Sequence, residues 1–324
     1  MRAAVRTRWG KPEEVIRLAD VPTPQLADDG VLVRIRAASV NRADYYAVAS
    51  PALLLRPMLG GLLRPKTEAI GGDFAGVVEA VGSDVAGFEP GDEVFGARTG
   101  AFAEYVCARM VARKPANVSF EEAAAVPTGG LTALQAIRDH GRLEPGQRVL
   151  VNGASGAVGT FAVQIAKALG AGHVAAVCST RNVEQTRALG ADRVIDYTAD
   201  DFTRAGERYD LIVDVAGNRS WPELRRVLEP DATVVLVGVP LSRNRVLGPL
   251  GAIAGRWVTS RRGSPRNIFF VAKFNRPDLD TLGELLASGQ VQPVIERVYP
   301  LAEVADALRV MGEGHARAKL VVTV

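Results

Sequence analysis

The chain has 324 residues, 48% of them hydrophobic and 23% charged, with a net charge of +3. That length allows roughly two domains at the usual ~150 residues each, and a near-balanced charge without a long basic block excludes a nucleic-acid footprint. Two cysteines, Cys107 and Cys178, exclude a disulfide framework or a zinc cluster, and no apolar run is long enough to span a membrane.

In chain order, the first third reads as β-rich. Val31–Ala37 alternates in the manner of a half-buried strand, Gly76–Gly82 is a strand ending in a turn, Pro90–Gly96 is a turn leading into a strand, and Glu104–Ala108 follows. Short strands with glycine punctuation predict a barrel-like antiparallel domain. Ser50–Lys66 is apolar and broken by prolines. It reads either as an excursion packed over the core or as an apolar lip on a substrate cleft. Met1–Gly10 lacks a secretory apolar stretch, so a reducing cytoplasm is the expected setting.

From Ser119 the period becomes helical. Ser119 and Glu122 have the spacing of a capping box, Pro127 interrupts, and Thr132–His140 is a second helical piece. Val149–Val151 reads as a buried parallel strand. It runs into a turn with Gly153, Gly156 and Gly159, and then into a helix with Val158, Phe161, Ile165 and Leu169 on one stripe. Such a turn gathers backbone N–H groups and a helix N-terminus at one point, which suits a pyrophosphate. The residues from Gly153 through Ala154, Ser155, Gly156, Ala157 and Val158 to Gly159 are therefore the candidate dinucleotide loop. Further strands are expected at His173–Cys178, Arg193–Ile195, Asp210–Val215 and Thr233–Val237, with helices between, the pattern of a doubly wound parallel sheet. A strand at Ile268–Ala272, helices at Asp278–Ala287 and Leu301–Met311, and a closing strand at Lys319–Val324 complete the chain.

The second strand of that sheet ends in Ser179, Thr180 and Arg181. An NAD site usually has Asp or Glu here for the ribose 2′-hydroxyl. Two hydroxyls and a guanidinium suit a 2′-phosphate instead, so NADPH is the expected cofactor; otherwise Arg181 only caps a solvated helix start.

Asn41–Asp44, Gly71–Gly82, Pro90–Gly96, Ala125–Thr128, Gly153–Gly159 and Leu189–Tyr197 come in the order and spacing of the medium-chain dehydrogenase/reductase superfamily, which the chain resembles nearly end to end. The resemblance implies a GroES-like β-barrel catalytic domain over 1–121, with 262–324 contributing, and a Rossmann doubly wound parallel-sheet domain over 122–261. Zinc-dependent members carry a ligand Cys where this chain has Asn41, a His-Glu pair at Gly72-Asp73, and a second Cys near Thr128. An amide, a hydrogen atom and a hydroxyl do not make a catalytic zinc site, and His140, His173 and His315 lack metal spacing. No metal is expected, and the chain looks like the zinc-independent quinone oxidoreductase branch with its enone and enoyl reductases.

That branch implies hydride transfer from NADPH to a quinone or an α,β-unsaturated carbonyl. A zinc-free NADP-dependent alcohol dehydrogenase or carbonyl reductase, and a non-catalytic NADPH-binding scaffold, are the alternatives. The resemblance puts Asn41 and Tyr46 at the nicotinamide end. Asn41 would orient the acceptor carbonyl; Tyr46 would bond or protonate it, or serve only as an aromatic wall. Tyr45 falls on the opposite face if the piece is extended, and Asp44 reads as a structural turn acid. Thr128, Ala216, Gly217, Gly238 and Val239 are placed along the cofactor, Tyr197 near its 2′-phosphate, and Phe269, Phe270 and Val271 against its carboxamide, although a plain buried strand explains the last three as well. Lys319 is compatible with the cofactor rim or with a solvated charge. A homodimer is expected, because the family often pairs Rossmann sheet edges, and Ala232–Gly238 is apolar enough for either an edge or a core strand.

Overall fold

The computed structural model describes residues 1–49, 56, 61, 63–238, 264–314 and 316–324. Most of Ser50–Lys66, together with Val239 and His315, lies outside these residues.

The first unit is built on β1 (Arg2–Arg6), α1 (Pro12–Val15), β2 (Ile16–Asp20), β3 (Val31–Val40), α2 (Arg42–Ala49), β4 (Asp73–Val81), β5 (Glu93–Ala97), β6 (Tyr105–Ala108) and β7 (Val111–Arg113). β3 pairs antiparallel with β4, β4 with β5, and β5 with β7, while β6 also pairs with β3. Alternation puts Val31, Val33 and Ile35 inside and Arg34 and Arg36 outside. The antiparallel domain expected from the strand pattern is therefore present. The 41–49 piece, by contrast, is a helix rather than extended, so Tyr45 packs against Gly312 instead of pointing opposite Tyr46.

A link of α3 (Phe120–Ala124) and α4 (Pro127–Gln135) leads to the second unit. Ser119 and Glu122 form the expected reciprocal capping box. Pro127 ends one helix and occupies the first turn of the next, where its missing N–H costs nothing. The last turn before Gly141 widens to a π-helix over Ala136–His140.

The second unit holds β8 (Arg148–Asn152), α5 (Gly159–Ala168), β9 (His173–Cys178), α6 (Val183–Ala188), β10 (Arg193–Asp196), β11 (Tyr209–Asp214), α7 (Trp221–Arg225), β12 (Leu228–Leu236) and β13 (Arg266–Phe269). Its six strands are all parallel, in the order β10-β9-β8-β11-β12-β13. This is the doubly wound order, and its switch point lies between β8 and β11. The Ala232–Gly238 run is not an edge: β12 lies between β11 and β13, so burial explains its composition. β13 stops at Phe269, short of the expected Ala272, because the backbone N–H and C=O of Lys273 pair with the Gln135 side-chain amide rather than with a strand.

The chain then returns through α8 (Arg276–Ala287), β14 (Ile295–Pro300), α9 (Val304–Glu313) and β15 (Lys319–Thr323). β15 lies between β14, its parallel partner, and β3, its antiparallel one, so the sheet of the first unit is mixed. The 262–324 stretch is thus divided, with β13 in the all-parallel sheet and β14 and β15 in the mixed sheet of the first unit. The two units share one apolar core, in which Ala37, Ala75, Phe95 and Val321 pack with Leu131, Phe161 and Leu282. No helix among the described residues is long and apolar enough to cross a membrane.

Candidate active site

β3 ends at Val40, and Asn41 stands at the N-cap of α2. A residue there ordinarily spends its side chain on the first helical N–H groups. Here Asp44, at the third helical position, accepts the Asn41 backbone N–H at 2.8 Å, and the Asn41 side chain turns into the protein instead. Its Nδ2 donates to Asp73 Oδ2 at 3.0 Å, and its Oδ1 accepts from Lys319 Nζ at 2.6 Å.

Asp73, the first residue of β4, is the hub. Its Oδ2 also accepts from Thr128 N at 3.0 Å and Ser39 Oγ at 3.3 Å, and its Oδ1 accepts from Thr128 Oγ1 at 2.6 Å. Lys319 Nζ is 3.5 Å from Asp73, and both side chains are fully buried. Lys319 is therefore not a solvated charge. β15 places it in the interior, where burial lowers its pKa while Asp73 and Asp44 pull it back up. Asp44 is pushed up to about 7, first by burial and then by the Asp73 charge. Gly72 adjoins it: a Cβ there would stand in ordinary contact with Asp44 Oδ1, at 3.4 Å.

This cluster abuts the glycine turn. A Cβ on Gly129, next to Thr128, would come within 2.6 Å of Ala157 O. From the other side, Ala318 N–H donates to Ser155 O at 2.9 Å, one residue before Lys319. The turn lies at the switch point, where an open parallel sheet binds its ligands. Gly153 has φ +91°, and a Cβ on Gly159 would stand 2.1 Å from Gly153 O, so this tight crossing requires glycine. The N–H groups of Gly153 and Ala154 are taken by Val177 O, whereas those of Ser155, Ala157 and Val158 have no partner among the described residues. They precede the start of α5, and the cradle fits a pyrophosphate.

Ser179, Thr180, Arg181 and Tyr197 line one open pocket of about 340 Å³. Asn182 ties its floor to the loop, donating to Ser155 Oγ at 3.0 Å and Ser179 Oγ at 3.1 Å. Arg317 reaches from the other unit to Arg181 O at 3.4 Å. Asp196, at the end of β10, is engaged by Thr198, which donates both N–H and Oγ–H to it. The pocket's three hydroxyls and one guanidinium suit a 2′-phosphate, with the Thr180 hydroxyl and N–H also reaching the Asp196 carboxylate.

Beyond β8 and β11, Ala216 N–H donates to Asn152 O and Gly217 N–H to Asp214 Oδ1. Gly238 follows β12, with its N–H 3.4 Å from Asp214 O. Val239 lies outside the described residues. The Tyr46 hydroxyl is buried without a hydrogen-bond partner among the described residues, as a group awaiting a ligand oxygen would be. Phe270 stacks on His140 at 4.2 Å between ring centroids and belongs to the core, while Phe269 and Val271 face outward, exposed. The structure therefore gathers Asn41 and Thr128 at one side of the glycine turn and Ser179, Thr180, Arg181 and Tyr197 at another, and separates Phe270 from its two neighbours. A larger cavity of about 480 Å³ lies between β1 and the 98–109 stretch and touches none of them.

Sequence reasoning missed Ser39 and Asn182, considered Asp73 only as the residue at a zinc-ligand position, and left Lys319 between the cofactor rim and a solvated charge. Only Lys319 had a signal, a lone cation opening an apolar strand. Zinc does not fit here. Among the described residues no three His, Cys, Asp or Glu side chains converge. Asn41 Oδ1 and Asp73 Oδ2 face the Lys319 amine, which a metal ion would have to displace, and the Thr128 hydroxyl donates to Asp73.

The comparisons with known proteins agree with this architecture. Residues 27–134 match the family described as "Alcohol dehydrogenase GroES-like domain", and residues 189–322 match "Zinc-binding dehydrogenase". The chain is 35% identical to the mouse (Mus musculus) protein named "NAD(P)H oxidoreductase RTN4IP1, mitochondrial", over 100% of this chain and 89% of that one. The chain belongs to the medium-chain dehydrogenase/reductase superfamily, in its quinone oxidoreductase-like branch. That makes it an NAD(P)H oxidoreductase. It is also 32% identical to the "2-methylene-furan-3-one reductase" of Solanum lycopersicum, over 99% of this chain and 79% of that one. The solved quinone oxidoreductase of Coxiella burnetii superposes with a TM-score of 0.84 at 30% identity, covering 100% of this chain and 99% of that one.

Proposed function

We propose that this medium-chain reductase is NADPH-dependent, works without zinc, and reduces quinones or α,β-unsaturated carbonyls. The observation that carries the reading is the buried Lys319–Asn41–Asp73–Thr128 network set against a glycine turn with unpaired N–H groups. Bound NADPH would supply the hydride, and the chain's own residues would do the rest.

The turn from Ser155 to Gly159 would hold the pyrophosphate, and Ser179, Thr180, Arg181 and Tyr197 the 2′-phosphate. Asn41 is locked at both ends of its amide. One Nδ2 hydrogen goes to Asp73 and the Asp44 carboxyl draws on the same side chain, so Asn41 would meet an acceptor oxygen by exchanging that second contact. Charge developing on that oxygen would be met by a preorganised donor. The unpartnered Tyr46 hydroxyl stands on the same helix as a second donor or a proton source.

With no Lewis acid to hold an alkoxide, acceptors that take a hydride readily are favoured: quinones, or a C=C conjugated to a carbonyl. The names of the tomato and Coxiella relatives, a 2-methylene-furan-3-one reductase and a quinone oxidoreductase, support the same reading. Free Cys107 and Cys178 suit a reducing compartment.

Oxidation of NADPH and NADH with 1,4-benzoquinone, 9,10-phenanthrenequinone, an alkenal and a cyclic enone tests this. Turnover with NADPH, faster than with NADH, is expected on at least one class. Tight NADPH binding without turnover on any of the four would contradict it.

A further inference from the structure

Strand alternation in β1 puts Ala4 and Arg6 on the same face, and Ala4 belongs to the barrel core with Val15, Val48 and Ile70. A guanidinium thus sits at an inward position, where the residue is only 2% exposed. It stacks on the indole of Trp9, with its carbon 4.5 Å from the ring centroid. Arg56 brings a second guanidinium to the same ring at 6.0 Å. Among the described residues nothing neutralises this pair. Arg6 Nε and Nη1, Arg56 Nε and Trp9 Nε1 are all buried and all without a hydrogen-bond partner.

Cation–π contact with one indole does not compensate two cations, and each buried donor left unpaired carries its own desolvation cost. Burial depresses the Arg6 pKa to about 10, evidence that no carboxylate stabilises its charge. Four unpaired donors and two positive charges around one ring make a surface complementary to oxygens bearing negative charge.

We propose that Arg6, Arg56 and Trp9 form a binding site for an anionic oxygen group, a carboxylate or a phosphate monoester. Its place in the fold gives it a use. Gly10, the residue after Trp9, donates its N–H to Val48 O at the far end of α2 from Asn41. Eight helical residues separate the two ends by about 12 Å. An acceptor reduced at Asn41 that carries an acidic group at the end of a chain of that length would reach both. The site stands on its own geometry; only its assignment to the acceptor rests on the proposed function.

A matched pair of acceptors separates the sources: a benzoquinone bearing an ω-carboxyalkyl chain, and its methyl ester. In parallel, inorganic phosphate is titrated calorimetrically into the NADPH-bound protein. A carboxylate carried by the acceptor predicts a kcat/KM ratio of acid to ester above about tenfold, collapsing toward one in Arg6→Met. A separate small anion predicts no acid preference, with saturable phosphate binding that falls at least about tenfold in the same variant. If the native protein shows neither, Arg6 and Trp9 are a structural stack and the proposal is overturned. Arg56→Gln, on a half-buried residue, repeats both measurements should Arg6→Met fail to fold. Absence of turnover with both acid and ester would contradict the reductase reading while leaving the phosphate titration to decide the site.

Discussion

At the residue scale, the cofactor and the buried charges make separate demands. The proposed function gives Arg181 the cofactor's 2′-phosphate, so Arg181→Asp should weaken NADPH by about 10–100-fold and NADH far less, because the new carboxylate can accept from a ribose hydroxyl. Equal losses by fluorescence titration would remove that assignment. Asp44 makes a pH prediction. Its pKa is about 7 in the folded protein and 3.8 ordinarily, so between those values the native state binds the proton and the unfolded state does not. Stability from this group is complete below pH ~4 and is lost as pH rises through ~7. Asp44→Asn keeps an acceptor for the Asn41 N–H without the charge. It should leave stability nearly unchanged at pH 4 and raise it by an amount of order 1 kcal/mol or more at pH 8. Denaturant melts of both proteins across that range check it; parallel curves would contradict it. Neither Asp73 nor Lys319 announced its role in the sequence. They lie 246 positions apart, and only the pairing of β15 with β3, and of β3 with β4, brings them together.

At the scale of elements, the glycine turn was legible because its chemistry is local. A strand, three glycines at fixed spacing and a helical stripe occupy one continuous stretch. Gly159→Ala would place a methyl group within 2.1 Å of Gly153 O. It should cost about 1–3 kcal/mol of stability and abolish the rise in Tm that NADPH gives the native protein. A variant whose Tm still rises fully with NADPH would contradict the cradle. Where the deciding contact is distant, the sequence misleads. Asn41–Ala49 carries two adjacent tyrosines and no clear stripe, and its helix is held by Asp44 at the cap and by α9 against Tyr45. β13 ends early because Gln135, some 138 positions away, takes the Lys273 backbone.

At the scale of the whole molecule, the two-unit organisation follows from periodicity. Alternation dominates before Ser119 and a strand–helix rhythm after it, and each period dictates one kind of sheet. Periodicity could not assign the last sixty residues, because β13 and β15 are strands of only four and five residues, too short to show which sheet they join; their partners decide. The shared apolar seam, with Phe95 and Val321 packed among Leu131, Phe161 and Leu282, fixes the barrel-side cluster against the dinucleotide turn. In the proposed function, hydride transfer would take place at this seam, beside the buried Lys319–Asn41 contact. The most direct measurement is NADPH oxidation with a cyclic enone and a naphthoquinone by chelator-treated protein whose metal content is known. Full turnover with less than about 0.1 zinc per chain is expected from a donor set unsuited to the metal. Turnover that disappears on chelation and returns with stoichiometric zinc would contradict it.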